Sequence, residues 1–454
     1  MTEKERHPRG LYVLFLTEMW ERFSFYTMIA MLTLYLQDAT DGFGWSKRDA
    51  TRLYANYLMF VYASPLIGGW IADRKLGFRR TITIGGLFFI VGHVLLAFPT
   101  IPALYASLTC LVIGNGCFKP NISTMVGNLY RPGSPLRDSA YNIFYMGINI
   151  GALGAPLVAE SVRQRFGFHP GFVIAGVGMA IGMVIFWSFQ RHIAAADPGP
   201  SAVRRADEEA AAVGDDLPPN RAAIDEVPER TRIGALLVIF AIVIVFWMVF
   251  HQNGSTMTYW ANDNTDWASS PFLTGVISIL TLGFVKGDQI SGVVSNSINP
   301  FWIVVLSYPL TRVWAALNRR GLEPSTPTKM AIGMILTGLC FLILYLGARS
   351  GGDTGRVSPW WLVSAYLVIS LGELMLSPMG LSLVSKVAPA RMKGMMMGGW
   401  FVATAIGNKL TMIGELWTVW SHSQFWLTLS LMAMGMAVVL ILLLRPLKKA
   451  MPGV

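Results

Sequence analysis

Twelve stretches of about 20 or more mostly apolar residues follow one another along this 454-residue chain. A helix needs roughly 20 apolar residues to cross the hydrocarbon core of a bilayer, and only helices and closed barrels satisfy their backbone groups there. The stretches lie at about 10–37, 50–72, 80–99, 103–129, 139–162, 170–191, 232–260, 297–317, 328–348, 359–386, 394–418 and 424–445. They predict an all-α integral membrane protein with 12 transmembrane helices. The charge content fits: 14% of residues are charged, against about 25% in soluble globular proteins. The basic first residues and the apolar run after them look at first like a signal peptide. That run is long, holds Glu18, Glu21 and Arg22, and lacks a small-residue cleavage site, so a retained first helix is expected.

One polar region, about 193–231, is rich in Ala, Pro, Asp, Glu and Arg and has no apolar periodicity. It reads as a linker between an N-terminal six-helix bundle (1–192) and a C-terminal one (232–454). Six helices on each side of a long central loop resemble the hydropathy pattern of the major facilitator fold, in which two bundles surround a central cavity. The segment 271–290 holds too short an apolar run for a thirteenth span, and an extracellular hairpin or a re-entrant piece is expected there.

The net charge of +10 sits mainly in short loops beside the apolar stretches. Lys and Arg concentrate on cytoplasmic loops, so both termini and the linker are placed in the cytoplasm; the cell inner (plasma) membrane is the expected location. The same residues account for the basic balance through lipid headgroups, without nucleic acid. Cys110, Cys117 and Cys340 lie in apolar runs with no metal-ligand spacing and read as packing residues; no metal or cofactor is expected.

Charges inside spans are costly, roughly 2.5–3.5 kcal/mol each on insertion scales, so they mark a wet cavity or a partner. The first helix carries Glu18-Met-Trp-Glu21-Arg22-Phe-Ser-Phe-Tyr26. Positions 18, 21, 22 and 26 share a face, and either glutamate can neutralise Arg22. The alternative is a static ion pair that fixes packing. Lys119 is a lone cation in the fourth stretch, and the Glu18/Glu21 cluster is its natural partner, unless it snorkels to an interface. Tyr145 and Asn149 are four apart and share a face, as do Glu373 and Ser377. The first pair can bind a ligand or act as interhelical glue. Glu373, the one acid in its span, asks for a cation from a ligand or from the protein. Trp400 either lines a cavity or fills space.

Between the second and third stretches runs Gly69-Trp-Ile-Ala-Asp73-Arg74-Lys75-Leu-Gly77-Phe-Arg79-Arg80. Glycines permit a tight turn, Asp73 can meet a helix N-terminus, and the arginines can meet carboxylates or lipid phosphates. The pattern closely resembles the major facilitator loop signature, which implies a conformational latch.

The first-helix motif resembles the ExxERFxYY signature of the proton-coupled oligopeptide transporters, with Phe25 at the first Tyr. Further matches follow in order: Phe118-Lys119-Pro120-Asn121, Phe144-Tyr145-Met-Gly-Ile-Asn149-Ile-Gly151, Gly372-Glu373-Leu-Met-Leu-Ser377-Pro378, and Met397-Gly-Gly-Trp400-Phe401 with Gly407-Asn408. Tyr62 and Asn299 look similar to family positions that touch substrate. The resemblance implies a monomeric proton-coupled symporter of di- and tripeptides, not an enzyme. Arg22, Tyr26, Tyr62, Lys119, Tyr145, Asn149, Asn299, Glu373, Ser377 and Trp400 would touch substrate, and Glu18, Glu21, Arg22, Lys119 and His251 would couple protons. A peptide carboxylate would meet Arg22 and Lys119, and its ammonium Glu373.

The sequence also departs from the family. Ile29 stands where many members carry a second arginine, Ala55 where some carry histidine, and His251 where an acid is typical. Transport of another small substrate, such as nitrate or a modified amino acid, and a non-transporting peptide receptor are the competing readings. No nucleophile–base pair or phosphate loop supports a membrane enzyme.

Overall fold

The structure is a computed structural model that describes residues 7–130, 136–197, 199, 226–389 and 393–452. Twelve of its helices have 18 residues or more: α1 Arg9–Gln37, α2 Lys47–Ile71, α3 Phe78–Leu95, α4 Ile101–Asn128, α5 Leu136–Phe166, α6 Phe168–Ser188, α7 Glu229–Phe250, α10 Ile298–Arg319, α11 Thr326–Ser350, α12 Trp360–Val387, α13 Lys393–Leu410 and α14 His422–Ala450. Three shorter helices lie between α7 and α10: α8 Thr256–Asp263, α9 Pro271–Leu280 and a single turn at Gly292–Ser295. Among the described residues there is no strand beyond one isolated bridge, Thr265 to Val357. Nine of the described spans are long and apolar enough to cross a membrane. The other three long helices, α1, α2 and α13, carry charge within their length. Most of the linker reading, from residue 200 to 225, lies outside the described residues.

The chain forms two compact units. One comprises residues 1–45 and 60–215, the other 46–59 and 216–454, so the first turns of α2 belong to the second unit. In the first unit α1 packs on α5 and α6, and α3 on α4. Small residues allow these approaches. A Cβ at Gly68 would lie 1.8 Å from the Gly116 carbonyl oxygen, so α2 and α4 touch backbone to backbone. In the second unit α11 packs on α12 and α14, and α7 on α13.

The seventh stretch is broken. After α7 comes a single 3₁₀ turn, His251–Gly254, and then α8. Backbone freed at such a break needs new partners. Gln252 supplies one: its Nε2 donates to Met248 O at the end of α7 at 3.3 Å, and it also ties the break to Thr411 O at 3.0 Å and to Thr256 Oγ1, which donates to its Oε1 at 2.8 Å. The segment 271–290 is neither a hairpin nor a span. It is the ten-residue helix α9, a turn with Leu282 and Gly283 at positive φ, and a short 3₁₀ turn at Gly287–Gln289.

Candidate functional site

In the first unit the charges cluster around Arg22. Glu18, Glu21 and Arg22 are buried in α1. Arg22 Nη2 donates to Glu21 Oε1 at 2.6 Å, its Nε also meets Glu21 Oε2, and Nε lies 3.3 Å from Glu18 Oε1. Nη2 further reaches Asn115 Oδ1 at 3.5 Å, and Asn115 is held from its other side by donating to Val61 O at 2.7 Å. The guanidinium stands 5.1 Å above the Phe25 ring. Two carboxylates around one guanidinium leave the cluster with excess negative charge, in a place where a charge without compensation is expensive.

Lys119, half-buried on α4, answers that excess through space rather than by close pairing. Its Nζ sits 4.9 Å from the centroid of the Tyr62 ring, and its charge interacts with Glu18, Glu21 and Arg22. The structure thus brings Glu18, Glu21, Arg22, Tyr62 and Lys119 into one neighbourhood. Asn115 belongs there as well and was missed in sequence. It precedes Lys119 by four residues on the same helix, the spacing that could have flagged it.

Gly151 explains how α5 reaches this cluster. A Cβ there would lie 2.3 Å from Met19 O and 3.2 Å from Arg22 Cβ, so only glycine lets α5 rest directly on α1 at this level. One turn-half earlier, Asn149 is buried and donates to Tyr145 O at 2.9 Å, which occupies one of its donors within the helix. Tyr26 and Tyr145 are both half-buried.

The second unit carries a separate polar group where the start of α10 meets the middle of α12. Asn299 Nδ2 donates to Glu373 Oε2 at 3.0 Å and to Ser370 Oγ at 2.9 Å. Ser370, one turn before Glu373, was not singled out in sequence. Its hydroxyl donates to Tyr366 O at 2.7 Å and so orients the pair. Among the described residues no cation forms an ion pair with Glu373. Ser377 is half-buried one turn further along α12. Trp400, on α13, is buried edge-on against Phe240 at 6.2 Å, with Thr404 donating to its carbonyl. His251 is buried too. It stacks on Trp247, with centroids 5.1 Å apart, and meets Phe250 edge-on.

The loop signature takes a definite shape. After α2 one π turn spans Ala72–Leu76, then Gly77 at φ +78° starts α3. Gly69 is half-buried, and Asp73, Arg74 and Arg80 are exposed. The donors at the N-terminus of α3 are met by Asp197, from the segment after α6. Its oxygens accept from Phe78 N at 3.0 Å, Arg79 N at 3.2 Å and Arg79 Nε at 3.2 Å. A carboxylate at a helix N-terminus is favoured by the unpaired amides and the helix dipole.

Buried charges on long membrane-crossing helices, gathered in two units, define the class: an all-α membrane transporter of the major facilitator type. The particular family follows from comparison. The sequence model of the POT family matches residues 79–214 and 216–435, and the chain belongs to that family. It is 33% identical over 490 residues to an uncharacterized transporter of Bacillus subtilis, covering 99% of this chain and 96% of that one. It is 32% identical over 498 residues to a di-/tripeptide transporter of Lactococcus lactis subsp. lactis, with 98% and 97% covered. Among solved structures it is similar to a peptide transporter POT in complex with sulfate, with a TM-score of 0.84 at 30% identity, covering 98% of this chain and 96% of the other.

Proposed function

We propose that the chain is a proton-coupled symporter that imports di- and tripeptides by alternating access. In this reading it is a multi-pass protein of the inner (plasma) membrane, with both termini cytoplasmic, and works as a monomer. The observation that carries the proposal is the buried Glu18–Glu21–Arg22 cluster. Arg22 is held by two contacts to Glu21 and a longer one to Glu18. Neither Glu18 oxygen has a hydrogen-bond partner among the described residues. Glu18 is therefore the looser of the two carboxylates.

A proton on Glu18 removes one of the two charges that compete for Arg22. An incoming peptide carboxylate can then share the guanidinium, with Lys119 adding a second positive charge. Proton and carboxylate binding thus reinforce each other, and the linkage is reciprocal. Glu373, oriented by Asn299, takes the ammonium end. Tyr26, Tyr62, Tyr145, Asn149, Ser377 and Trp400 shape the space between the ends, and His251 adjusts the coupling. Asp73, Arg74, Gly77, Arg79 and Arg80 act as a latch whose helix terminus is capped by Asp197. The names of the Lactococcus relative and of the sulfate-bound POT structure support the substrate class.

The test is uptake of labelled dialanine into proteoliposomes with and without an imposed pH gradient, acid on the outside. Gradient-dependent accumulation together with counterflow is expected. Binding without counterflow would make the protein a receptor. Counterflow that no pH gradient can drive would remove the proton from the mechanism.

A further inference from the structure

Helix α9, Pro271–Leu280, is amphipathic with its apolar side turned outward. Phe272, Val276, Ile279 and Leu280 follow one another at helical spacing and are all exposed, Phe272 by 68% and Ile279 by 75%. The inward side carries Thr274, Ile277, Ser278 and Thr281. Ile277 and Thr281 are buried. Thr281 Oγ1 donates to Ile277 O at 2.7 Å and accepts from Val285 N at 3.3 Å, which ties the helix end to the returning loop. A surface helix in contact with water shows the reverse pattern, with apolar residues inside and polar ones outside.

The turn after the helix repeats the theme. Leu282 has φ +51° and is 83% exposed, and Gly283 follows at φ +74°. A left-handed position in a watery turn favours Gly, Asn or Asp, and here it presents a leucine at the tip.

The neighbours of α9 fix its level. Val357 N donates to Asn264 O at 2.9 Å and Asp266 N to Val357 O at 2.8 Å, which holds the approach to α9 beside the start of α12. Phe272 then stacks on Trp360, the first residue of α12, with centroids 6.3 Å apart. Trp360 is itself 46% exposed and opens a stretch long and apolar enough to cross a membrane. Tryptophan at the end of such a stretch marks the membrane–water interface. The outward face of α9 therefore continues the lipid-facing surface of the span beside it.

We infer that α9 and its tip lie in the bilayer interface, with Phe272, Val276, Ile279, Leu280 and Leu282 among lipid acyl chains. They form a monotopic anchor for the broken segment α7–α8. At ten residues α9 is too short to cross. Its geometry is that of a helix lying in the interface plane. Lys286, exposed where the chain turns back, is placed to meet lipid phosphates.

The test places an environment-sensitive nitrobenzoxadiazole label on Ile279→Cys, and separately on Leu280→Cys, in the full-length protein reconstituted into liposomes. The parent chain, with its native cysteines, is labelled in parallel as background. The inference expects blue-shifted emission at both sites, strong quenching by spin-labelled acyl chains and little quenching by aqueous iodide. Iodide quenching without lipid quenching would leave the helix in water. Protection from both quenchers, with disulfide-linked dimers when the same variants are oxidised unlabelled, would make a second copy of the chain the occupant. Either result overturns the assignment.

Discussion

Arg52 grips Glu415 through two parallel hydrogen bonds, Nε to Oε1 and Nη2 to Oε2, both 2.9 Å long. Arg48 adds a third, from Nε to Oε2 at 3.0 Å. All three residues belong to the second unit, which the first turns of α2 join. Nearby, Lys47 pairs with Asp263 at 2.5 Å and Lys409 donates to Asn56. These contacts attach that part of α2 to the turn after α13, to α13 itself and to the end of α8. The two arginines are about half exposed, and water screens such pairs.

The Glu415 clamp makes a prediction about pH. The hydrogen bonds from Arg52 hold this carboxyl below the usual range, with Arg48 helping and partial burial opposing. A carboxylate depressed in the folded state adds stability above its unfolded pKa and loses it as pH falls through the folded value. Glu415→Gln should therefore lower the thermal midpoint of the purified protein at pH 7. The deficit should stay constant down to about pH 5 and fade below about pH 4, near the ordinary value for Glu. Scanning fluorimetry of both proteins across pH checks this. A deficit that vanished already at pH 6 would remove the clamp from the account.

Arg22 bears on coupling. Arg22→Ala leaves Glu18 and Glu21 buried without their counter-ion, and breaking a buried pair this way costs about 3–5 kcal/mol. Loss of uptake in that variant could then reflect poor folding. Arg22→Lys keeps the charge and gives up the planar fork that spans two carboxylates. Both variants should lose gradient-driven dialanine uptake, and the lysine variant should still insert and elute as a single species. A correctly inserted Arg22→Ala that transports normally would remove Arg22 from the substrate and proton path.

Gly151 links packing to the same cluster. A methyl group there would collide with Met19 O, which is backbone and cannot swing aside. Overpacking of this kind costs about 1–3 kcal/mol. Gly151→Ala should lower the thermal midpoint and displace Arg22 along with α1. Gly154, with nothing near its absent Cβ, is the control, and Gly154→Ala should be close to neutral. Equal effects of the two substitutions on stability and uptake would rule out the close-approach explanation.

Much of this was legible in sequence because the membrane restricts what a charge in a span can mean. Glu18 and Arg22 were expected to meet from their four-residue spacing, and they do. Glu21 was expected to be able to neutralise Arg22 as well, and it does so although adjacent helical residues normally diverge. Asp197 was invisible because it caps α3 across 119 residues of chain, and no local pattern marks such a contact. Hydropathy could not show that residues 46–59 join the second unit either, because it reports which segments meet lipid and not which helices they pack on. For α9 the short apolar run was noticed, but periodicity alone does not say which face turns outward.

Glu373 carries the last prediction. Asn299 and Ser370 hold it on one side of α12, and among the described residues no Lys or Arg pairs with it. A carboxylate prepared in this way in a span suits an ammonium that arrives with the ligand. Glu373→Gln keeps the shape and the bond from Asn299 while it removes the charge. Losing one partner of a desolvated charge pair costs about 2–5 kcal/mol, or roughly 30-fold or more in affinity. The variant should therefore bind free dialanine far more weakly, while N-acetylated dialanine, which has no ammonium to lose, should change little. Competition binding with both ligands, on wild type and variant, gives the comparison as a ratio of ratios and cancels any general loss of active protein. If both ligands weaken equally, Glu373 acts on structure or on protons, and the ammonium binds elsewhere.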